Sequence, residues 1–440
     1  MKKNTWHGWL KGLAGITAAS ALILAAGCNG GSDNNSSAQA KVRVLHASPD
    51  APAVDVVVNS TAIAANAPFK TATGFSTINS GRGTVKVNVA GSNTTVISAT
   101  PDFNAGRSYT IIAANKVAAI EPLIIDDDGA APASGQVKVR VVHGAPSAPA
   151  VDVYVTAPNA ALAGTTPTLA NVPFKTISSV LQVAAGSYQI RVTAAGSKDA
   201  VFDAGTVALA AGADLVLVAV DQNIGASPIS LIGLTTDAAA PRFELTDTRA
   251  QLRAFHASPD APNVDILVDN ALAAGNVPYL TAVGFVAVPS GARNVKVNAA
   301  GTSTTVINVT PTLAAGKAYT AYAVGFLAGI SALLVEDNLA APTTGNAKIR
   351  VIHGSPDAPN VDILANNNRV LANVPFKTAS DYLVVPAGAY NFKVNVAGTA
   401  TTAAQADVTL VAGKVYTAIA VGSVASTATN KLAIRLLTDK

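Results

Sequence analysis

The stretch VLHASPDAP at residues 44–52 recurs three more times in closely similar form, and this recurrence sets the expected architecture. It places His46, His143, His256 and His353 in four copies, with successive spacings of 97, 113 and 97 residues. Such spacings are too long for solenoid repeats, whereas about 100 residues suffice for a β domain to bury its own core. The chain is therefore expected to be an array of four tandem domains.

Apolar and polar residues alternate on both sides of the stretch, which is the pattern of extended strands. Residues 42–46 alternate before it and residues 54–58 alternate after it. The two prolines between them cannot donate ladder hydrogen bonds, and the aspartate favours a turn. If the two strands paired antiparallel, Arg43 would lie diagonal to Asp55, so we predict an ion pair between these side chains.

Further short β-rich segments follow in every copy, bounded by Gly, Asn or Pro and without a convincing helical pattern. About seven short strands in about 100 residues are typical of a sandwich of two antiparallel sheets. We therefore predict an all-β protein made of four tandem immunoglobulin-like antiparallel β-sandwich domains, preceded by a signal peptide and a flexible tether.

A second recurring element places a tyrosine three residues after a turn glycine, at the head of a strand. The tyrosines are Tyr109, Tyr319 and Tyr416, and copy two has Leu215 at this position. The element resembles the tyrosine corner of such sandwiches, in which the ring packs inside and the hydroxyl bonds back to the turn. These tyrosines are expected to be structural.

The repeats and the composition between them define the domain boundaries. We assign the sandwiches to residues 41–130, 137–236, 250–340 and 347–440. Copy two carries an insertion near residues 156–170, whose Pro, Gly and Thr content predicts an exposed loop. The connecting segments contain Ala-Pro pairs with acidic residues nearby, and we expect them to be semi-stiff hinges of an elongated array.

The densest acidic run, Asp126–Asp128, lies in the first of these connecting segments. Three adjacent carboxylates could attract calcium between domains one and two. The run lacks the alternating spacing of an EF-hand loop, so a solvated hinge is the preferred interpretation.

The N-terminus has the features of an export signal. Residues 1–27 place lysines before an uncharged apolar run that ends in small residues, and Cys28, the only cysteine of the chain, follows. This resembles the bacterial lipoprotein processing site, where the cysteine receives a diacylglyceryl group and becomes residue one. The alternative is an ordinary secretory signal with a chance cysteine. Residues 28–40 are rich in Gly, Ser and Asn, which predicts a flexible tether.

Lipid at Cys28 predicts an exported protein that is anchored to the membrane through its N-terminus. Asn29 follows the cysteine where an aspartate would resemble an inner-membrane retention signal, so the outer membrane or cell surface of a bacterium is the expected location. Removing the signal leaves 27 basic side chains against 26 acidic ones, without a basic cluster. Nucleic acid is therefore not an expected partner.

The full motif reads Arg-x-x-His-(Ala or Gly)-(Ser or Ala)-Pro-(Asp or Ser)-Ala-Pro-x-Val-Asp, and copies three and four add a Pro-x-Gly turn at residues 289–291 and 386–388. It resembles the bacterial domain-of-unknown-function family 4397, and four copies cover essentially all of residues 41–440. Copy two departs from the pattern at Ser147 and Leu215, and copy one has Asn79 in place of the turn proline. The resemblance implies extracytoplasmic β-sandwich modules, often on lipoproteins or surface proteins, with no established activity.

Every histidine beyond the signal lies in the motif, close to one or two aspartates. The candidate residues are His46, Asp50, Asp55, His143, Asp152, His256, Asp260, Asp265, His353, Asp357 and Asp362. A histidine with two carboxylates can bind a metal or act as a general base. The structural interpretation is preferred, because His46 follows apolar residues on one strand face and its ring is expected to bond to the next turn.

These observations predict a lipid-anchored cell-envelope protein with a structural or adhesive binding role, without catalysis, cofactor or metal. Envelope or extracellular polysaccharide or protein is the expected partner, because weak sites repeated on one tether gain avidity. The alternative is a carbohydrate- or metal-binding envelope protein that uses the His/Asp motif. A hydrolase is the third interpretation, although no Gly-x-Ser-x-Gly, His-Glu-x-x-His or phosphate-loop motif occurs.

Overall fold

The computed structural model describes residues 38–222 and 227–440. Within these residues the chain is almost entirely β, and its strands form the same two-sheet arrangement four times. The predicted all-β sandwich class and the fourfold repetition are therefore confirmed. None of the described helical segments is long and apolar enough to cross a membrane.

Copy one shows how each sandwich is built. Its strands are β1 (Gln39–His46), β2 (Val54–Val58), β3 (Thr61–Ala67), β4 (Ser76–Asn79), β5 (Gly81–Arg82), β6 (Val85–Val89), β7 (Thr95–Ala99), β8 (Asp102–Phe103), β9 (Ser108–Ala114) and β10 (Glu121–Asp127), with a 3-10 turn at Val117–Ala119. One sheet has the order β10-β9-β1-β4 and the other β3-β2-β6-β7, while β5 and β8 form a short ribbon. We call the first the motif sheet, because β1 carries the histidine motif, and the other the second sheet.

The other copies repeat this plan. Copy two has β11 (Gln136–His143), β12 (Val151–Thr156), β13 (Leu169–Val172), β14 (Leu181–Ala184), β15 (Gly186–Ala194), β16 (Ala200–Leu209), β17 (Asp214–Asp221), β18 (Ile229–Leu234) and β19 (Arg242–Leu245). Copy three has β20 (Arg249–His256), β21 (Val264–Val268), β22 (Ala271–Val277), β23 (Val286–Pro289), β24 (Gly291–Ala292), β25 (Val295–Ala299), β26 (Thr305–Val309), β27 (Thr312–Leu313), β28 (Ala318–Val324), a 3-10 turn at Leu327–Gly329 and β29 (Ser331–Asp337). Copy four has β30 (Asn346–His353), β31 (Val361–Ala365), β32 (Asn368–Val374), β33 (Leu383–Pro386), β34 (Gly388–Val396), β35 (Thr402–Leu410), β36 (Val415–Val421) and β37 (Ala433–Thr438).

The motif sheets of these copies have the orders β14-β11-β17-β18-β19, β23-β20-β28-β29 and β33-β30-β36-β37. The second sheets have the orders β13-β12-β15-β16, β22-β21-β25-β26 and β32-β31-β34-β35. In copy two, β19 adds a strand beyond the predicted end of the domain at residue 236. The connecting segment after copy two therefore contributes to the sheet before it.

Alternation along the strands builds the core of each sandwich. In β2, Val54, Val56 and Val58 are buried, whereas Asp55 and Val57 between them are partly exposed. In β1, the side chains of both faces are buried from Val42 onward. A strand buried on both faces needs a second layer of protein on its outer side, and the motif sheets find that layer in a neighbouring copy.

One strand pair in each motif sheet is parallel. In copy one, β1 runs parallel to β9, with Val42 opposite Tyr109 and His46 opposite Ala113. The same parallel pairing joins β11 to β17, β20 to β28 and β30 to β36. The remaining pairings between the named strands are antiparallel, as the sequence predicted.

The predicted ion pair between Arg43 and Asp55 is wrong, because β1 and β2 lie in different sheets. The two prolines of the motif carry the chain from the motif sheet to the second sheet instead of closing a hairpin. Arg43 donates to the Thr110 hydroxyl at 2.8 Å, while Asp55 accepts bonds from two backbone N–H groups of its own sheet.

Neighbouring copies pack face to face through their motif sheets. Apolar side chains of copy one, including Leu45, Ile112 and Ile125, form one buried cluster with Val218 and Ile232 of copy two. Copies three and four form a second such cluster. Its buried members are Phe255, Ala257, Tyr322, Val324, Ile352, Ile419 and Val421. The expected hinges are therefore wrong between copies one and two and between copies three and four, because the apolar outer faces of their motif sheets pack together. Ala38–Lys440 forms one compact unit.

Candidate functional site

The motif histidine is buried and hydrogen-bonded in the same way in every copy. His46, His143, His256 and His353 are at most 2 % exposed. Their Nε2 atoms lie 3.0–3.1 Å from the carbonyl oxygen of the proline six residues later. A backbone N–H two residues later lies 3.3–3.4 Å from Nδ1. Since Nδ1 accepts, Nε2 carries the proton and donates, so both nitrogens of a neutral ring are used within the turn.

An aromatic ring completes the surroundings of each histidine. The Phe or Tyr of the repeated Pro-Phe-Lys element meets the imidazole edge to face, with ring centroids 6.0–6.3 Å apart. Burial lowers the pKa of His46, His256 and His353, because a charged ring would lose its hydration. The neutral ring is therefore the form that the fold stabilises.

The first aspartate of the motif holds the segment after the tyrosine strand. Asp50 accepts the backbone N–H of Val117, and Asp260 accepts that of Leu327, both at 2.7 Å, at the start of the two 3-10 turns. Asp357 accepts the N–H groups of Val424 and Ala425. These carboxylates act as caps across about 67 residues of chain, a distance that local capping rules do not cover.

In copy two, the motif supplies the N–H group of this contact and the tyrosine-equivalent strand supplies the carboxylate. Ser147 replaces the first aspartate, and Asp221, at the end of β17, accepts the Ser147 backbone N–H at 3.2 Å. A carboxylate is therefore present at this contact in copy two as well, but Asp221 at the end of β17 supplies it instead of the motif. The departure of copy two from the motif therefore leaves the local connection intact.

The second aspartate joins two turns of the second sheet. Asp55 accepts the N–H of Asn66 at 2.7 Å with one oxygen and that of Gly91 at 3.1 Å with the other. Asn66 and Gly91 have φ values of 46° and 70°, so both lie in the left-handed region. The same bonds recur at Asp152, Asp265 and Asp362. Bonds from Asn and Gly N–H groups lower the pKa of Asp55, Asp265 and Asp362.

The histidine and the two aspartates of one motif thus form hydrogen bonds with separate groups and not with one another. Within residues 38–222 and 227–440, no three His, Cys, Asp or Glu side chains form a group that could hold a metal ion. The run Asp126–Asp128 is also occupied: its carboxylates accept bonds from Arg107, Lys138 and the Ala130 N–H.

The three corner tyrosines are buried, and each hydroxyl bonds to the turn before its strand. The Tyr109 hydroxyl accepts the Asn104 N–H at 2.8 Å. Tyr319 and Tyr416 accept N–H groups of the residues five positions earlier, both at 3.2 Å. Leu215 of copy two is buried in the core of its sandwich, without such a bond from its side chain.

Sequence reasoning missed a buried charge network between copies three and four. The motif arginines Arg253 and Arg350 form ion pairs with carboxylates of the opposite copy, Arg253 with Asp439 and Arg350 with Asp337. All four side chains are at most 8 % exposed. The network is closed by hydroxyl groups, because threonines bridge each arginine to a carboxylate of its own copy.

The bridging bonds have near twofold symmetry. The Thr320 hydroxyl accepts from Arg253 and donates to Asp337, both at 2.6 Å. Thr417 accepts from Arg350 at 2.9 Å and donates to Asp439 at 2.7 Å. The hydroxyl of Tyr382 adds a further bond to Asp439. Buried ion pairs are tolerated only when their remaining donors and acceptors are satisfied in this way.

A sequence signal for this network exists. An arginine stands three residues before the histidine in all four copies, within an otherwise apolar strand, and Asp127, Asp337 and Asp439 end three of the copies. An arginine in a strand buried on both faces needs a carboxylate partner. An arginine on a solvated strand face needs no such partner, so the alternation alone does not reveal the network.

The predicted lipid attachment site, Cys28, and the signal peptide lie outside the described residues. The first described strand starts at Gln39, so the first sandwich begins where the predicted tether ends.

The four sandwiches coincide with four matches to one known protein family. The family model for the domain of unknown function DUF4397 matches residues 40–154, 156–247, 250–363 and 347–440. The chain belongs to this family, with four tandem copies, as the motif predicted. A search of curated proteins finds no match.

Two solved structures resemble the chain weakly. One is the Bacillus anthracis TIE protein, at 12% identity and a TM-score of 0.16, covering 88% of this chain and 68% of that one. Another is a product complex of SpuA, a multi-modular glycogen-degrading pneumococcal virulence factor, at 8% identity and a TM-score of 0.15, covering 84% of this chain and 38% of that one. At these values neither similarity supports a functional assignment.

Proposed function

We propose that this protein is a lipid-anchored component of the bacterial cell envelope, in which repeated β-sandwich modules have a structural or adhesive binding role without catalysis. The observation that carries the proposal is the internal use of the motif. Both ring nitrogens of all four histidines and both oxygens of the second aspartates are bonded within their own copy. A group that is repeated for catalysis needs a free donor or acceptor for its substrate, whereas a group that is repeated for folding does not.

Binding through the His/Asp motif would have to break these bonds. A metal at His46, for example, would need a nitrogen that already contacts either Pro52 or Ser48. The ring is 2 % exposed, so a ligand would also have to open the turn. The motif therefore supports a folding role better than a carbohydrate or metal site.

The outer face of the second sheets is a better surface for a partner. It carries the same polar residue types in copies one, three and four, and all of them are at least partly exposed except Asn395, which is 6 % exposed. These are Lys86, Asn88 and Thr95; Lys296, Asn298 and Thr305; and Lys393, Asn395 and Thr402. In each copy the threonine hydroxyl donates to the asparagine across the strand pair at 2.8–2.9 Å. Polar groups on a regular surface, repeated three times, suit weak binding to a polysaccharide or protein that gains strength by avidity.

The anchoring part of the proposal is tested at Cys28. The wild-type chain, expressed in a bacterium, should incorporate labelled fatty acid and sediment with the outer membrane, because two acyl chains hold a protein stably on a bilayer. Cys28→Ser should be unlabelled and released into the soluble fraction. Wild-type chain without label would contradict lipid anchoring.

The binding part is tested with the full chain on surfaces coated with envelope polysaccharides and surface proteins at graded density. Avidity predicts retention that falls more steeply than the coating density. Replacing Lys86, Lys296 and Lys393 by Ala together should weaken retention more than any single replacement. As a control, His353→Asn, assayed at a temperature at which circular dichroism shows it to be folded, should leave retention unchanged, because the motif lies on the other sheet. Retention that depends on His353 and not on the lysines would favour the motif as the ligand site.

A further inference from the structure

Copy three contains a mainly apolar cavity at the open edge of its sandwich, and Arg253 is the one charged residue of its lining. The cavity has a volume of about 170 Å³ and lies between β22 and β23, the edge strands of the two sheets. Leu252, Ile266 and Val295 form buried walls. Ala273 and Gly284 are exposed at its mouth. Copy one has a cavity of about 10 Å³ that shares only some of the equivalent lining positions, among them Val44, Val56 and Ile111.

Small residues of copy three create this space. Ala254 in the motif strand stands where each of the other copies has valine. Ala321 in the neighbouring strand stands where copy one has Ile111 and copy two has Leu217, whereas copy four also has alanine there, Ala418. Both alanines face the cavity.

The edge strand β22 of copy three differs most from its equivalents in the side chains that it places at the cavity. Ala273 aligns with Ile63 of copy one, which packs in the core and is 9 % exposed. Its neighbour Ala274 aligns with Leu371 of copy four, which packs against the core of that copy. The side chain that closes the sandwich edge in copies one and four is thus missing in copy three.

The cavity divides the core of copy three. The buried side chains of copy one form one continuous cluster, whereas those of copy three form two. Leu252 and Val295 belong to one of these, and Ala254 and Ile266 to the other, and all four line the cavity. A void of this kind lowers stability, because the lining atoms lose contacts that the other copies keep.

The lining is apolar where the other copies have a hydroxyl. Thr73, Ser178 and Ser380 accept a backbone N–H of the motif strand through their hydroxyl oxygen. Copy three has Val283 at this position, and Val283 lines the cavity. Apolar cavities of about 150 Å³ stay dry and bind molecules such as benzene or xenon.

We propose that copy three is a ligand-binding module whose cavity takes a small uncharged apolar group, of the size of a benzene ring or the end of an alkyl chain. The exposed mouth gives the group a path of entry. The bound group replaces the van der Waals contacts that larger side chains make in the other copies. The site is separate from the polar face proposed above for envelope partners, and it does not depend on that role.

The test is calorimetric titration of the full chain with benzene, which represents a ring, and with 1-hexanol, which represents a chain end. We expect saturable binding of at least one probe, and the tighter probe identifies the shape of the occupant. Ala273→Ile, which introduces the residue of copy one, should weaken binding at least about tenfold, because an added side chain occupies the space of the ligand.

Val370→Ile is the matched control, since it adds a methyl group at the same strand position of copy four and should leave binding unchanged. Circular dichroism verifies that Ala273→Ile is folded, and Ala274→Leu, the residue of copy four, serves as a second filled variant. The proposal is overturned if neither probe binds the wild-type chain saturably, or if both filled variants bind as tightly as the wild type does.

Discussion

The two pairs of copies use the same faces of the same sheets but bury different chemistry. Copies three and four enclose two arginines and two carboxylates in a closed network of ion pairs and hydroxyl bonds. In copies one and two, Arg43 is equally buried, but its guanidinium contacts the Thr110 hydroxyl, the Thr235 carbonyl oxygen and the Phe75 ring. Burial lowers the pKa of Arg43 to about 10.

Two positions distinguish copy two: Val216 replaces the bridging threonine of the other copies, and a position at the end of the copy lacks its carboxylate. Asp439 aligns with Thr236 of copy two, so the carboxylate that would face Arg43 is missing. The opposite carboxylate of this pair, Asp127, is bound by Lys138 at 2.7 Å. The same interface therefore forms with and without complete charge pairing, which indicates that its apolar cluster supplies most of the attraction.

The largest effect is expected when one carboxylate of the closed network is removed. Asp337→Ala leaves Arg350 buried without its counter-charge and should lower the free energy of unfolding by about 3–5 kcal/mol. Urea unfolding and hydrogen exchange of β29 and β30 would measure it. Asp127→Ala in the other pair should cost less, about 1–2 kcal/mol, because Lys138 keeps Asp214 at 3.1 Å. Equal losses of stability in Asp337→Ala and Asp127→Ala would contradict the view that only copies three and four depend on a closed charge network.

Removal of a motif histidine should lower the stability of either pair of copies by a similar amount. His353→Ala and His143→Ala each delete two turn bonds and an aromatic contact, so we expect losses of about 2–4 kcal/mol in both variants. Thermal unfolding with detection by circular dichroism would measure them. Unchanged stability in either variant would show that the ring is not needed for the fold and would revive a ligand role for it.

Acidification should lower stability by less than a histidine replacement does. The pKa values of His46, His256 and His353 are lowered in the folded state. Below about pH 6.5 the unfolded chain takes up protons that the folded rings resist, so stability falls as the pH decreases from there through the folded-state pKa. Melting temperatures between pH 7 and pH 5 test this, because unperturbed carboxylates stay ionised over most of this range. A melting temperature that rises on acidification would refute the lowered pKa values.

The smallest effect is expected from completing the missing charge. Thr236→Asp places a carboxylate at the position of Asp439, near Arg43, and should raise stability by less than about 1 kcal/mol, because Thr236 is exposed. Added salt should reduce the gain. A gain as large as the loss in Asp337→Ala would show that the copy-one/two pair depends on charge as strongly as the other pair does.

Much of the site could be predicted from local sequence. The turn prolines and the alternation around His46 indicated a buried ring bonded to the next turn, because such bonds span only six residues. The partners of Asp50 and Asp55 could not be predicted, because their N–H groups lie 11 to 67 residues away in other turns. Arg43 was misassigned for the same reason: its strand was paired with its neighbour in sequence rather than with β9.

The cavity of copy three illustrates the same limit within one domain. Ala273 and Ala254 are unremarkable in a sequence rich in alanine, and their shared effect appears only when β22 and the motif strand face each other. No spacing along the chain reveals that two small residues on different sheets lie in one layer of the core and leave it partly empty.

The number of copies follows from the recurrence of the motif. The strands and the all-β sandwich follow from period-two alternation and Gly/Pro turns, which act over a few residues. The folded chain alone shows which sheet faces a neighbouring copy, where the motif arginines meet their carboxylates, and where the core is left open. These outcomes depend on contacts between strands about 100 residues apart, and the physical reason is that burial of a whole sheet face is a property of two surfaces together.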